Sequence, residues 1–381
     1  MSPKCDPSCA YFYAFLNVGH GFRSAPGPRR ERRRAAECPP YRRCRANVQN
    51  RLLSFATLLL SALVAGTAGF AAEPATLPEK IQPLLAKPLY QFTEAEVGLY
   101  LPYLQATEPD LRQRVVHLAR KNLGQPYELY LLGEMPFETY DPQPLYCLSK
   151  SDCLVFAEHT YAMALSRDWT GFMRLLQRIR YHDGQIGVAT RNHFTETDWN
   201  PSNRWLVRDI TPEIAGDHVL KFAEKIDRQK FLLGRYGLRT ALPVEDHVET
   251  CLPYAELDRA RPHLRDGDCV EIVRGIVKPG LPANDIFGGS AWIGHVGLIA
   301  HGADGSLHII HSSEPMVREE TLEQFIVRET AHLAERDAAG KPRLLGFKFL
   351  RLENDPLANL RLIDGPDTPR VTLPGGKAAG F

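Results

Sequence analysis

Lys150-Ser151-Asp152-Cys153-Leu154-Val155-Phe156-Ala157-Glu158 opens a helix on its cysteine. Ser151 and Asp152 are both residue types that cap a helix with a side-chain oxygen, so Cys153 falls in the first turn. Leu154, Val155, Phe156, Tyr161, Ala162 and Leu165 carry an apolar pattern on to about residue 166. Backbone N–H groups and the positive end of the helix dipole favour a thiolate at that place. The same N–H groups can hold the oxyanion of an acyl transfer. Against this, a single cysteine is most often a small buried core residue.

Upstream, residues 78–122 read as helical. Glu108-Pro109-Asp110 opens a run with Leu111, Val115, Val116, Leu118 and Ala119 on one side, ending near Gly124. Residues 125–150 carry prolines and aromatics and read as loop. A further helix is expected at about 169–180, an irregular stretch at 181–215, and a mixed one at 217–240. From residue 268 the period changes to two. Cys269–Val273, His295–Ala300, Leu307–His311 and Leu345–Leu352 read as strands, with Gly302-Ala303-Asp304-Gly305 as a hairpin turn. Helices first and antiparallel strands later predict an α+β fold. The Pro- and Gly-rich tail beyond Pro356 is expected to lie over the surface.

A cysteine nucleophile needs a base, and the base needs a group to orient it. His295 opens one predicted strand and His311 lies in the next, sixteen residues on. Paired antiparallel strands can bring two such histidines side by side. Cys153, His295 and His311 supply nucleophile, base and orienter in that order. Singly, each histidine is equally readable as a half-buried packing residue. One cysteine and two histidines are also a zinc set, but no H-E-x-x-H or C-x-x-C pattern follows residue 73. No metal and no cofactor is therefore expected.

The chain has 381 residues, 44% of them apolar and 24% charged, and can bury a sizeable core. A net charge of +1 gives no reason to expect nucleic acid as a partner. Residues 1–47 are crowded with arginine and read as a disordered leader ahead of a start at Val48. Residues 48–72 have the three parts of a secretory signal peptide: Arg51, an apolar run from Leu52 to Ala65, and small residues up to Ala71-Ala72. The run is short for a bilayer, which takes roughly 20 residues, so no stable membrane anchor is expected after cleavage. Export, with the periplasm as destination, follows. Cys5, Cys9, Cys38 and Cys44 lie in the leader, while Cys147, Cys153, Cys251 and Cys269 remain in the mature chain from residue 73 to 381, which reads as a single domain. In an oxidising compartment two of these four can pair, and spacing does not decide which.

The order Asp152-Cys153, Gly267-Asp268, His295-Val296-Gly297, Ile310-His311-Ser312-Ser313 resembles the papain-like NlpC/P60 cysteine hydrolases. A narrower resemblance, over about residues 107–352, is to the DUF1460, N-acetylmuramoyl-L-alanine amidase-like branch. It rests on Leu123-Gly124-Gln125-Pro126-Tyr127, Asp152-Cys153 through Glu158, Arg180-Tyr181-His182-Asp183-Gly184, Arg191-Asn192-His193-Phe194 with Trp199, and Asp209-Ile210-Thr211. Leu154 departs from the branch, which often has Thr or Val there. The Lys278–Gly289 stretch looks longer than usual and reads as a rim or lid loop. The resemblance implies N-terminal helices, with the nucleophile at a helix start, packed on an antiparallel sheet. It implies hydrolysis of the bond between N-acetylmuramic acid and L-alanine in peptidoglycan fragments. A γ-D-glutamyl-diaminopimelate endopeptidase is the alternative, and a zinc hydrolase or a non-catalytic muropeptide binder the remoter ones. Under this resemblance Arg191 pairs with a substrate carboxylate and Trp199 and Phe194 flank a sugar or lactyl group. His193 and Asp152 touch substrate or serve as a core histidine and a helix cap.

Overall fold

The computed structural model describes residues 79–276 and 290–364. The expected leader, signal peptide, rim loop and the last part of the tail lie outside the described residues.

After one short helix, Gln82–Ala86, come four longer ones, each started by a side-chain cap. Thr93 opens α1 (Glu94–Thr107) through a capping box with Glu96. Asp110 caps α2 (Leu111–Lys121), Asp152 caps α3 (Cys153–Ala164) and Asp168 caps α4 (Trp169–Arg180). Every residue of α3 except Leu154 is buried, so this helix runs through the core rather than along its surface.

Then come β1 (Val207–Asp209), β2 (Leu220–Asp227), α5 (Arg228–Tyr236), β3 (Val244–Pro253), β4 (Cys269–Ile276), β5 (Ser290–His301), β6 (Leu307–Ser313), β7 (Met316–Thr321), α6 (Leu322–Thr330), β8 (Arg343–Leu352) and α7 (Pro356–Asp364). They form one eight-stranded antiparallel sheet in the order β2-β3-β8-β4-β5-β6-β7, with β1 also on β8. The fold is α+β, as expected. The mixed segment 217–240 resolves into β2 and α5. The start of the tail, expected to lie over the surface, is α7, whose Leu360 packs into the helical core.

Both faces of the central strands are covered, and the period of two sorts their side chains. Cys269, Val296, Leu298, Ala300, Ile310, Leu350 and Leu352 face α1 to α4. Val270, Ile272, Ile299, Ile309, Phe347 and Phe349 face the other way, against Leu322 and Phe325 of α6. The site lies where these two layers meet at one end of β5 and β6.

Candidate active site

α3 begins beside the sheet because three contacts hold its lead-in. Ser151 donates to Gln125 Oε1 at 2.7 Å, and Ser312 at the end of β6 donates to the Ser151 carbonyl at 2.9 Å. Asp152 accepts the Val155 N–H at 2.9 Å, which commits its carboxylate to the cap. The β5–β6 ladder runs from His301↔Leu307 to Leu298↔Ile310. Past its end, the Val296 N–H meets the Cys153 thiol instead. Burial pushes that thiol up to about 12, with the Asp152 carboxylate adding to the rise and the Val296 and Leu154 N–H groups opposing it. Burial thus opposes the thiolate that the helix start favours.

His295 and His311 meet as the strand reading predicts: His295 Nε2 lies 2.7 Å from His311 Nδ1. His311 Nε2 lies 2.8 Å from Glu320 Oε1 on β7, and Arg328 of α6 donates to the same oxygen at 2.8 Å. Burial raises the Glu320 carboxyl, but hydrogen bonds from His311 and Arg328 prevail and hold it down to about 2. A carboxylate only accepts, so His311 Nε2 carries the proton. Burial lowers both imidazoles, His295 well below its ordinary value. With both rings neutral, His311 Nδ1 accepts and His295 Nε2 donates. The lone pair of His295 is left on Nδ1, the arrangement a base requires. Sequence reading missed Glu320 and Arg328.

Both rings lie against Phe325, His311 at 5.6 Å and His295 at 6.5 Å between centroids, on the sheet face opposite the main packing of α3. The thiol thus lies on the α3 side of β5, and the imidazoles on its α6 side. Among the described residues no hydrogen bond yet joins Cys153 to His295; such contacts commonly tighten only when substrate is bound. Gly297 has a steric reason for its place after His295-Val296. A Cβ there would stand 2.6 Å from Ile309 Cγ1 and 3.2 Å from His311 Cβ.

The residues expected at the substrate have internal partners. Arg191 binds Glu134 at 2.5 Å and Asp141 at 2.9 Å, and its guanidinium lies 5.4 Å from the Tyr236 ring centre. Trp199 is buried and donates to Glu158 Oε1 at 3.1 Å, and Arg180 reaches the other Glu158 oxygen at 3.4 Å. His193 donates from Nε2 to the Val188 carbonyl at 2.7 Å and packs on Phe231 and Tyr236. Phe194 is buried against Phe231. What sequence could not supply was the partners of these residues: Glu134 lies 57 positions from Arg191. The cysteines Cys147, Cys153, Cys251 and Cys269 are all buried.

Glu271 sits directly across the ladder from Val296 and is fully buried, with Asn200 Nδ2 on one oxygen at 3.2 Å. Its other oxygen has no partner among the described residues. Burial pushes its carboxyl from 4.5 up to about 8, with Lys348 opposing. The folded state then holds a proton that the unfolded state releases, so this group makes stability fall as pH rises from 4.5 towards 8. Glu271→Gln keeps the shape and removes the titration. Its melting temperature should fall less over that window than that of the wild type; parallel curves would refute the assignment.

The sequence of residues 117–330, more than half of the chain, matches the AmiA-like family, described as N-acetylmuramoyl-L-alanine amidase-like. The chain belongs to this family. Its members are amidase-like hydrolases, and the chain is an enzyme of that kind in its family assignment. Among solved structures, a Legionella pneumophila protein of the DUF1460 family is similar at a TM-score of 0.55 and 20% identity. The match covers 68% of this chain and 94% of that one, and shows the fold to be shared. An N-acetylmuramoyl-L-alanine amidase from Bacteroides uniformis is similar at a TM-score of 0.47 and 21% identity, over 64% of this chain and 99% of that one. No curated protein matches the chain.

Proposed function

We propose that the protein is an exported, cysteine-dependent amidase with the papain-like NlpC/P60 arrangement, acting on cell-wall material. The bond cut joins the lactyl carbonyl of N-acetylmuramic acid to L-alanine in peptidoglycan fragments. One observation carries the reading. Cys153 starts α3 beside the Val296 N–H, one residue from an imidazole whose lone pair is set by His311 and Glu320.

The chemistry follows from those groups. As Sγ of Cys153 adds to the lactyl carbonyl, its proton passes to Nδ1 of His295. The Val296 N–H supports the oxyanion. His295 then returns the proton to the departing alanine nitrogen as the C–N bond breaks, leaving a thioester on Cys153. Water adds with His295 as base, the C–S bond breaks, and N-acetylmuramic acid leaves with a free carboxyl group while the thiol regains its proton. A buried thiol suits this order, since attack and proton transfer proceed together.

Mass spectrometry of a muropeptide digest tests the bond. Release of free N-acetylmuramic acid with an intact stem peptide is expected. Release of a shortened peptide, with the first residues still on the sugar, would make the protein a γ-D-glutamyl-diaminopimelate endopeptidase instead. N-terminal sequencing of the secreted protein, with a start near Glu73, checks export.

A further inference from the structure

We infer that Glu320, clamped by Arg328, is a positioning residue that sets the protons of the two-histidine relay and sustains the basicity of His295. This rests on the thiol reading above. The register places Ile309 opposite Glu320 and His311 opposite Arg318, so the Glu320 carboxylate reaches His311 diagonally on one face of the β6–β7 ladder. The relay is continuous: His295 Nε2 to His311 Nδ1 at 2.7 Å, His311 Nε2 to Glu320 Oε1 at 2.8 Å, and Arg328 to that oxygen at 2.8 Å.

The surroundings make this carboxylate matter. The charged side chains acting on His295 are Arg274 from β4, Arg318 from β7 and Arg328 from α6, all opposed to an imidazolium. Glu329 is already paired with Arg274 at 2.7 Å and with Arg328 at 2.8 Å. Glu320 therefore supplies the negative charge that reaches the relay itself. When His295 takes the thiol proton, the positive charge is shared along the imidazoles towards Glu320. His311 is fully buried, so little solvent screens the effect.

Alkylation of Cys153 by iodoacetamide, followed against pH on the full chain, reads the relay without the amide substrate. In Glu320→Gln the rate at pH 7 should drop about tenfold, in the range lost with outer orienting partners. At alkaline pH, where the thiol ionises unaided, it should rejoin the wild-type rate. Glu320→Asp should recover most of the neutral-pH rate, and Arg328→Gln should lie between. Turnover should lose kcat with KM little changed. A Glu320→Gln profile matching the wild type overturns the inference. So does a loss by one factor at every pH, which is what a structural role alone produces. Turnover that survives Cys153→Ala overturns the thiol reading instead, and this inference with it.

Discussion

Cys153→Ala is expected to lower kcat by about 10⁴-fold or more, because a nucleophile acting as a unit with its base leaves only binding and oxyanion donors when removed. The fold should survive. The change removes one sulfur at a site that is 9% exposed, with a loss on the order of 1 kcal/mol. Apart from the Val296 N–H that meets the thiol, the contacts that hold the start of α3 do not involve it: the cap runs from Asp152 to Val155, and the tie to β6 runs through Ser151 and Ser312. Turnover of a muropeptide and a thermal melt, taken together, check this. Turnover within tenfold of the wild type, in a variant with an unchanged melt, would remove Cys153 from the chemistry.

Arg191→Met should act in the opposite way, on stability first. The sequence suggested an arginine turned towards a substrate carboxylate, for which KM would rise in an otherwise intact protein. In the structure the guanidinium neutralises Glu134, whose side chain is fully buried, and Asp141, which is 15% exposed. Tyr181 donates to the remaining Glu134 oxygen at 2.9 Å and cannot replace a charge. Removing one partner of a buried ion pair leaves the other uncompensated, at roughly 3–5 kcal/mol. A urea melt should show that loss. The double variant Arg191→Met, Glu134→Gln should regain part of it, since the stranded charge is gone. Unaltered stability with a raised KM would return Arg191 to the substrate.

The difference between these two residues follows how far each signal reaches along the chain. The start of α3 was legible because a cap and an apolar run act within a few residues. Strands β4, β5, β6 and β8 were legible because a period of two shows where one face must be buried. β7 was missed: half of Met316-Val317-Arg318-Glu319-Glu320-Thr321 is charged, and only Val317 in it is buried. With β7 unread, Glu320 had no strand to place it beside His311. β2 and β3 were missed because few of their residues are buried: Leu220, Phe222 and Ile226 in β2, and Cys251 and Leu252 in β3.

By itself the sequence determined that helices come first and central strands follow, and that His295 and His311 fall on neighbouring strands. These depend on local hydrogen bonds and on the alternation of buried faces. Only the tertiary structure decided which groups face each imidazole, the burial of the Cys153 thiol and the partners of Arg191. Each of those depends on desolvation and on charges brought within hydrogen-bonding distance by strand register and layer packing, which the spacing of residues along a chain does not encode.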